Sequence, residues 1–295
     1  MRDKIMSIIF LIIGLVAMAL AGPSPEVNIT AVPVAEQVYM LSGKGGNIGL
    51  FTGNDGTFLI DDQYAPLTEK IIASIKSVGG DFPKFLINTH YHSDHTGGNE
   101  NIGKGGTLIF SHHNVRERLS AGTFIAAFNM KMEALSREGL PVVTFSEDIR
   151  FHLNGDTIHV IHVPGAHTDG DSIIHFKTAN VIHTGDLFFN GFYPFIDVDH
   201  GGSLKGMIMA VDKVLALADD NTKIIPGHGP LGDRAQLAHY RQMLGKTDER
   251  LSKLKAEGKT VKEAIALNPL VDLDATWGNG IFKSDRWIEI IYSGI

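Results

Sequence analysis

The sequence predicts an α/β fold, with helices covering β-sheets in one continuous unit. Three observations carry that prediction. Short apolar runs of strand length recur between Gly and Asn-Asp-Gly turn signals. Segments with apolar residues at helical spacing are interleaved with them in both halves, and no low-complexity linker separates the halves. The 295-residue chain has no cysteine, so an apolar core and perhaps metal must hold it, not disulfides.

In chain order, residues 1–21 read as a secretory signal peptide. Arg2 and Lys4 precede the apolar run Ile5 to Leu20, and Ala19-Leu20-Ala21 offers small residues at both cleavage-determining positions. The run is slightly short for a membrane span of ~20 residues, so cleavage ranks ahead of a retained anchor. A periplasmic or secreted protein with no membrane span after cleavage is expected. Losing Arg2, Asp3 and Lys4 takes the net charge from −7 to about −8. That balance argues against nucleic acid as a partner and leaves a small-molecule substrate.

Residues 22–34 are Pro-rich and read as an extended arm. Gln37 to Leu41, Asn47 to Thr52 and Thr57 to Asp61 read as strands of antiparallel hairpins. Leu67 to Val78 carries Leu67, Ile71, Ile72 and Ile75 on one helical face. Phe85 to Asn88 and Thr107 to Ser111 read as strands. Asn114 to Glu138 reads as mostly helical with a break at Gly122, and Phe124 to Leu135 within it as a lid or a covering helix. Further strands are expected at Ile149 to Leu153, Thr157 to Val163, Ser172 to Lys177, Val181 to Thr184 and Lys223 to Ile225. Helices are expected at Leu204 to Ala218, Ala235 to Ala256, Val261 to Leu267 and Asp285 to Tyr292.

The densest chemistry lies in Thr89-His90-Tyr91-His92-Ser93-Asp94-His95-Thr96-Gly97-Gly98, directly after the apolar run Phe85-Leu86-Ile87. In extended backbone, alternate residues point the same way, so His90, His92 and Asp94 are expected on one face. His95 follows where the chain turns into a helix and approaches from another side. Three imidazoles and a carboxylate at this spacing point to metal binding. Further donors follow other apolar runs: His167 in Val163-Pro164-Gly165-Ala166-His167, Asp186 in His183-Thr184-Gly185-Asp186, and His228 in Ile225-Pro226-Gly227-His228-Gly229.

With these motifs in this order, the chain resembles the metallo-β-lactamase superfamily of dinuclear metallohydrolases over roughly Val34 to Leu231. The resemblance implies an αββα four-layer sandwich in residues 22–231, with residues 232–295 as a helical C-terminal appendage. It implies that His90, His92 and His167 hold one ion, that Asp94, His95 and His228 hold a second, and that Asp186 bridges them. Two Zn2+ are the expected cofactors, with Fe or Mn possible at the same ligands. Two such ions ~3.5–4 Å apart lower the pKa of a shared water towards neutrality, so a bridging hydroxide would attack a carbonyl. Asp94 would orient it and carry a proton.

Asp61, Asp62, Thr168 and Asp171 are candidates to support the ligands from behind. Phe188, Phe192 and Tyr193, which leave directly from Asp186, are candidates for an apolar pocket wall, and His112 for the cleft. His159, His175 and His183 read as packed or surface side chains, His162 as solvent-facing, and His200 as part of a surface loop. The lack of cysteine excludes the lactamase class that uses Cys where Asp186 stands. The expected function is therefore an exported zinc-dependent hydrolase cleaving an amide or ester, with a β-lactam-like or lactone substrate. The alternatives are a glyoxalase II-like thioesterase and a non-catalytic metal-dependent accessory or binding protein of a quinoprotein-type pathway.

Overall fold

The computed structural model describes residues 26–295; the expected signal peptide lies outside them. The first half contains β1 (Thr30–Ala35), β2 (Val38–Ser42), β3 (Ile48–Phe51), β4 (Phe58–Ile60), α1 (Thr68–Ser77) and β5 (Phe85–Ile87). The short helices α2 (Ser93–Thr96) and α3 (Asn99–Lys104) follow, then β6 (Leu108–His112) and α4 (His113–Ala121). A two-stranded hairpin, β7 (Thr123–Ile125) with β8 (Met130–Met132), precedes β9 (Val143–Phe145). The second half contains β10 (Asp148–Leu153), β11 (Asp156–His162), β12 (Ser172–Phe176), β13 (Val181–His183), α5 (Leu204–Leu217), β14 (Lys223–Ile225) and β15 (Gly232–Asp233). Four helices close the chain: α6 (Arg234–Ala256), α7 (Val261–Ala266), α8 (Asp274–Trp277) and α9 (Ser284–Ile291).

Two sheets form, in the order β1-β2-β3-β4-β5-β6-β9 and β10-β11-β12-β13-β14-β15. The strands from β4 to β9 in the first sheet pair in parallel, as do β13 and β14 in the second. Strand alternation divides the apolar residues between faces. Phe58, Ile60, Ile87 and Phe110 from the first sheet meet Val160, Ile174, Val181 and Ile225 from the second in one buried cluster. The intervening Leu59, Leu86 and Ile109 face outward onto Ile71 and Ile75 of α1 and Ile102 of α3. On the other side, Ile173, Ile182 and Ile224 pack under Val115 of α4, Val211 of α5, Leu237 of α6 and Ile288 of α9. The layers therefore run helix, sheet, sheet, helix. The C-terminal helices share a core with the second sheet. Asp233 caps α6 by accepting from the Gln236 amide, and Thr260 with Glu263 forms a capping box on α7.

Two expectations need correction. The Pro-rich arm contains a true edge strand, β1, paired with β2 through a bulge near Pro33. Proline is tolerated there because an edge strand leaves some amides without a ladder partner. The stretch Phe124 to Leu135 is not a helix. Gly122 (φ +71°) and Asn129 (φ +50°) adopt left-handed backbone on either side of β7 and fold the segment into the hairpin. Among the described residues, no helix is long and apolar enough to cross a membrane.

Candidate metal centre

Strand ends from both sheets deliver the site. The chain leaves β5 at Ile87, bends at Thr89 and His90, is extended at His92 and turns into α2 at Ser93. The two-residue alternation therefore ends before Asp94, which corrects the expectation that Asp94 shares a face with His90 and His92. The structure instead forms two groups: His90, His92, His167 and Asp186 in one, and Asp94, His95 and His228 in the other. Within each group, one potential ligand atom per residue lies within 4.8 Å of the others. Asp186 touches both. Its Oδ2 lies 3.9 Å from His90 Nε2, 3.5 Å from His167 Nε2 and 3.4 Å from His228 Nε2, and its Oδ1 lies 3.0 Å from His95 Nε2.

Two glycines permit this crowding. A Cβ on Gly227 would stand 2.0 Å from Asp186 Oδ1, and one on Gly46 would stand 2.1 Å from His95 Cε1. Gly46 belongs to the turn between β2 and β3, tied down by its amide to the Asp94 carbonyl (3.0 Å) and by its carbonyl to Gln63 Nε2 (2.7 Å).

The outer nitrogens of the rings are engaged, which assigns the tautomers. His90 Nδ1 donates to Thr89 Oγ1 (3.0 Å), which donates to Asp61 Oδ2 (2.7 Å). His95 Nδ1 donates to Asp61 Oδ2 (2.8 Å), and His167 Nδ1 to the Phe195 carbonyl (2.8 Å). His92 donates from Nε2 to Asp197 Oδ2 (3.0 Å). The inner atoms lack such partners. His90 Nε2 and Asp186 Oδ1 are buried with no hydrogen bond, and His167 Nε2 faces His92 Nδ1 at 2.9 Å.

Burial drives His90 well below its ordinary pKa, assisted by His95, and brings His167 to about 4. Both rings are thus neutral and offer lone pairs. Burial alone would lower His95 and His228 too, but Asp186 and Asp94 outweigh it and raise both, His228 to about 9. Neutral His90 and His167, with lone pairs converging on a buried carboxylate, fit a divalent cation of the zinc type, and a cation at His95 and His228 would take the place of their protons. His90, His92, His167 and Asp186 would hold one cation; Asp94, His95 and His228, with Asp186, a second.

The supporting candidates take distinct places. Asp61 accepts from the Thr89 amide (2.7 Å) and hydroxyl and from His95. Asp62 accepts the Gly98 amide (2.9 Å), which fixes the end of α2. Asp171 accepts the Thr168 amide and hydroxyl, both at 2.7 Å, and holds the loop that carries His167; burial raises it to about 8.

The pocket candidates divide. Phe192 lines a groove of about 860 Å3 beside His228, together with Lys44, Met40 and Leu231. Phe188 and Tyr193 do not face it. Both are fully buried, Phe188 against Tyr240 and Tyr193 stacked on Trp287 (4.4 Å). Phe189 and Phe195 hold the places nearest the ligands: Phe189 stacks on His228 (5.1 Å), and Phe195 packs on His92 and His167.

His112 is no cleft residue either. It caps α4 by accepting the Asn114 amide at Nδ1, donates from Nε2 to the Ser146 carbonyl (3.2 Å), and stacks on His162 (3.6 Å). His162, expected to face solvent, is therefore half-buried under it. Burial, then His162 and His113, push His112 down to about 4. The folded ring stays neutral down to about 4 whereas the unfolded ring takes up a proton below ~6.5, so its contribution is intact above 6.5 and is lost as pH falls from 6.5 towards 4. The acid limb of a thermal-melting series is expected to be shallower in His112→Asn than in wild type over that window. An identical limb would remove His112 from the account.

Asp197 escaped the sequence reading. Its signal was a carboxylate inside the apolar run Phe195-Ile196-Asp197-Val198, which requires a buried partner.

Comparison with known proteins fits this geometry. A sequence profile of the metallo-beta-lactamase superfamily matches residues 41–228. The Beta-lactamase-like protein 2 homolog of Caenorhabditis elegans is 23% identical over 258 residues, spanning 82% of this chain and 76% of its own length. The hydroxyacylglutathione hydrolase of Pelagibacter ubique is 25% identical over 196 residues, spanning 63% and 72%. The solved metallo-beta-lactamase from Pontibacter korlensis superposes with a TM-score of 0.58 at 21% identity, covering 74% of this chain and 99% of that one. With two sheets between helical layers, donors at the strand ends and a family profile over most of its length, the chain belongs to the metallo-β-lactamase superfamily.

Proposed function

We propose that the protein is an exported hydrolase with two zinc ions that cleaves an amide or ester of a small molecule, of the β-lactam or lactone class. The observation that carries this reading is Asp186, whose two oxygens lie between the two ligand groups. Export is supported by the signal-like residues 1–21.

When bound, the ion pair lowers the pKa of a water and offers positive charge to the substrate carbonyl oxygen. The chain supplies the rest. Asp61, Thr89 and the Phe195 carbonyl hold the imidazoles in one orientation. Asp94 is the carboxylate of the site with most access to the cleft, 23% exposed and 3.2 Å from His228. It is ionised, because His95 and His228 offset the cost of burial. It can accept a proton from the attacking water and return it to the departing nitrogen or oxygen. Phe192, Met40 and Leu231 give the groove an apolar wall that excludes water, and Lys44 is the Lys or Arg that lines it. Lys44 suits a substrate with an anionic group.

A second reading, a thioesterase, draws on the likeness to hydroxyacylglutathione hydrolase, since the same residues would act on a thioester carbonyl. The test is a panel of a chromogenic cephalosporin, a lactone and a thioester, assayed with metal analysis. Hydrolysis of one class is expected, lost with a chelator and restored by zinc. Asp94→Ala is expected to keep the fold and lose most of that activity. Two ions per chain with no turnover on any member would favour a binding or accessory role.

A further inference from the structure

One buried carboxylate near the centre has no part in this chemistry. Asp197 is 3% exposed and accepts three hydrogen bonds: from the Tyr91 hydroxyl, from His92 Nε2 (3.0 Å) and from His200 Nδ1 (2.8 Å). Its partner His92 differs from its neighbours. His90 and His167 bind outward through Nδ1 and turn Nε2 inward, whereas His92 binds outward through Nε2 and turns Nδ1 inward. Nothing in the ring itself enforces that choice. A half-turn about the Cβ–Cγ bond would replace Nδ1 by a carbon, and the other tautomer would put a proton where a lone pair is needed. Thr89 and the Phe195 carbonyl enforce the opposite choice for His90 and His167.

We propose that Asp197 is a positioning residue that fixes the ring flip and tautomer of His92 for metal binding, and that His200 and Thr123 tie it to the hairpin β7–β8. The proposal rests on the metal reading of the site. With Nδ1 protonated towards Asp197 Oδ1, His200 Nε2 is an acceptor, and Thr123 Oγ1 in β7 donates to it at 2.8 Å. The carboxylate therefore uses one oxygen for His92 and Tyr91 and the other for His200. A second brace stands behind it. Arg118 lies over the Tyr91 ring (5.4 Å) and pairs with Asp169 through two nitrogens, and the Asp169 amide donates to the His200 carbonyl (3.1 Å). The hairpin that sequence composition makes look like a helix is thus joined to a metal ligand through two intermediate side chains.

The test uses the full mature chain loaded with zinc. Zinc affinity is measured by competition with a chromophoric chelator in wild type, Asp197→Asn and His200→Gln, beside thermal melting of the metal-free proteins. Asp197→Asn is expected to weaken one zinc by about 10–100-fold, the range for loss of an outer partner of a ligand. His200→Gln should change it less, in the same direction. Cobalt-substituted Asp197→Asn should show altered visible absorption bands, because one ligand ring is no longer fixed. A role in packing alone would lower the metal-free melting temperature and leave zinc affinity and the cobalt spectrum unchanged; that result would overturn the proposal. If Asp197→Asn does not fold, unchanged zinc affinity in both His200→Gln and Thr123→Val overturns it. A wild-type protein that binds no zinc would instead defeat the metal reading itself.

Discussion

Asp186→Ala is expected, on the proposed two-ion reading, to lower bound metal from two ions per chain towards one and to reduce turnover by more than about 100-fold. That exceeds the ~10–100-fold typical when only an outer partner of a ligand is lost. Asp186 is the one carboxylate of the first group and the residue that touches both groups. Burial opposes its ionisation, yet His228, His95 and His90 hold its carboxyl well below the ordinary range. Truncation removes that charge and leaves His90, His92 and His167 as three imidazole donors, which can still take one ion weakly. Metal analysis and turnover on the responsive substrate check this. Wild-type stoichiometry and rate together would show that the two groups do not share a ligand.

Gly46→Ala should cost as much activity as a change to a ligand, although Gly46 carries no chemistry. The added methyl would need to stand 2.1 Å from His95 Cε1. His95 is fully buried and anchored to Asp61, and the Gly46 backbone is anchored at both its amide and carbonyl. Something must move by about an ångström, and such displacements near reacting groups cost about 100-fold. Overpacking of this kind also costs about 1–3 kcal/mol of stability. Gly245→Ala is the control. Gly245 lies in α6, away from the site, and its methyl would meet only the end of the Arg241 side chain. Equal rates for Gly46→Ala and wild type would show that the turn yields freely.

How much of this was legible in sequence follows from the range of each interaction. His90 to His95 are encoded within six positions, and a bend after β5 followed by a helical turn suffices to deliver them to two adjoining groups. His167, Asp186 and His228 were legible as donors because each follows a short apolar strand, and the resemblance supplied their order. Sheets covered by helices were legible from the interleaved strand and helix runs, and the resemblance supplied the four layers; that Phe58-Leu59-Ile60 serves both faces of its sheet is visible only in the fold. The hairpin β7–β8 was not. Ala126, Ala127 and Met130 have helix-favouring composition, and left-handed turns at Gly122 and Asn129 override it. Phe188 and Phe189 are neighbours of like chemistry, and only the fold decides which one reaches a ligand. Asp197 acts on a histidine 105 positions away, and no local pattern announces such a bond.

The division of ligands between the sheets has a consequence for how the protein matures. His90, His92, Asp94 and His95 follow a strand of the first sheet, whereas His167, Asp186 and His228 follow strands of the second. His95 and His228 are 133 positions apart. A nascent chain that has completed only its first sheet owns half a chelator. On the two-ion reading, the complete donor set exists only once β14 has been synthesised and docked.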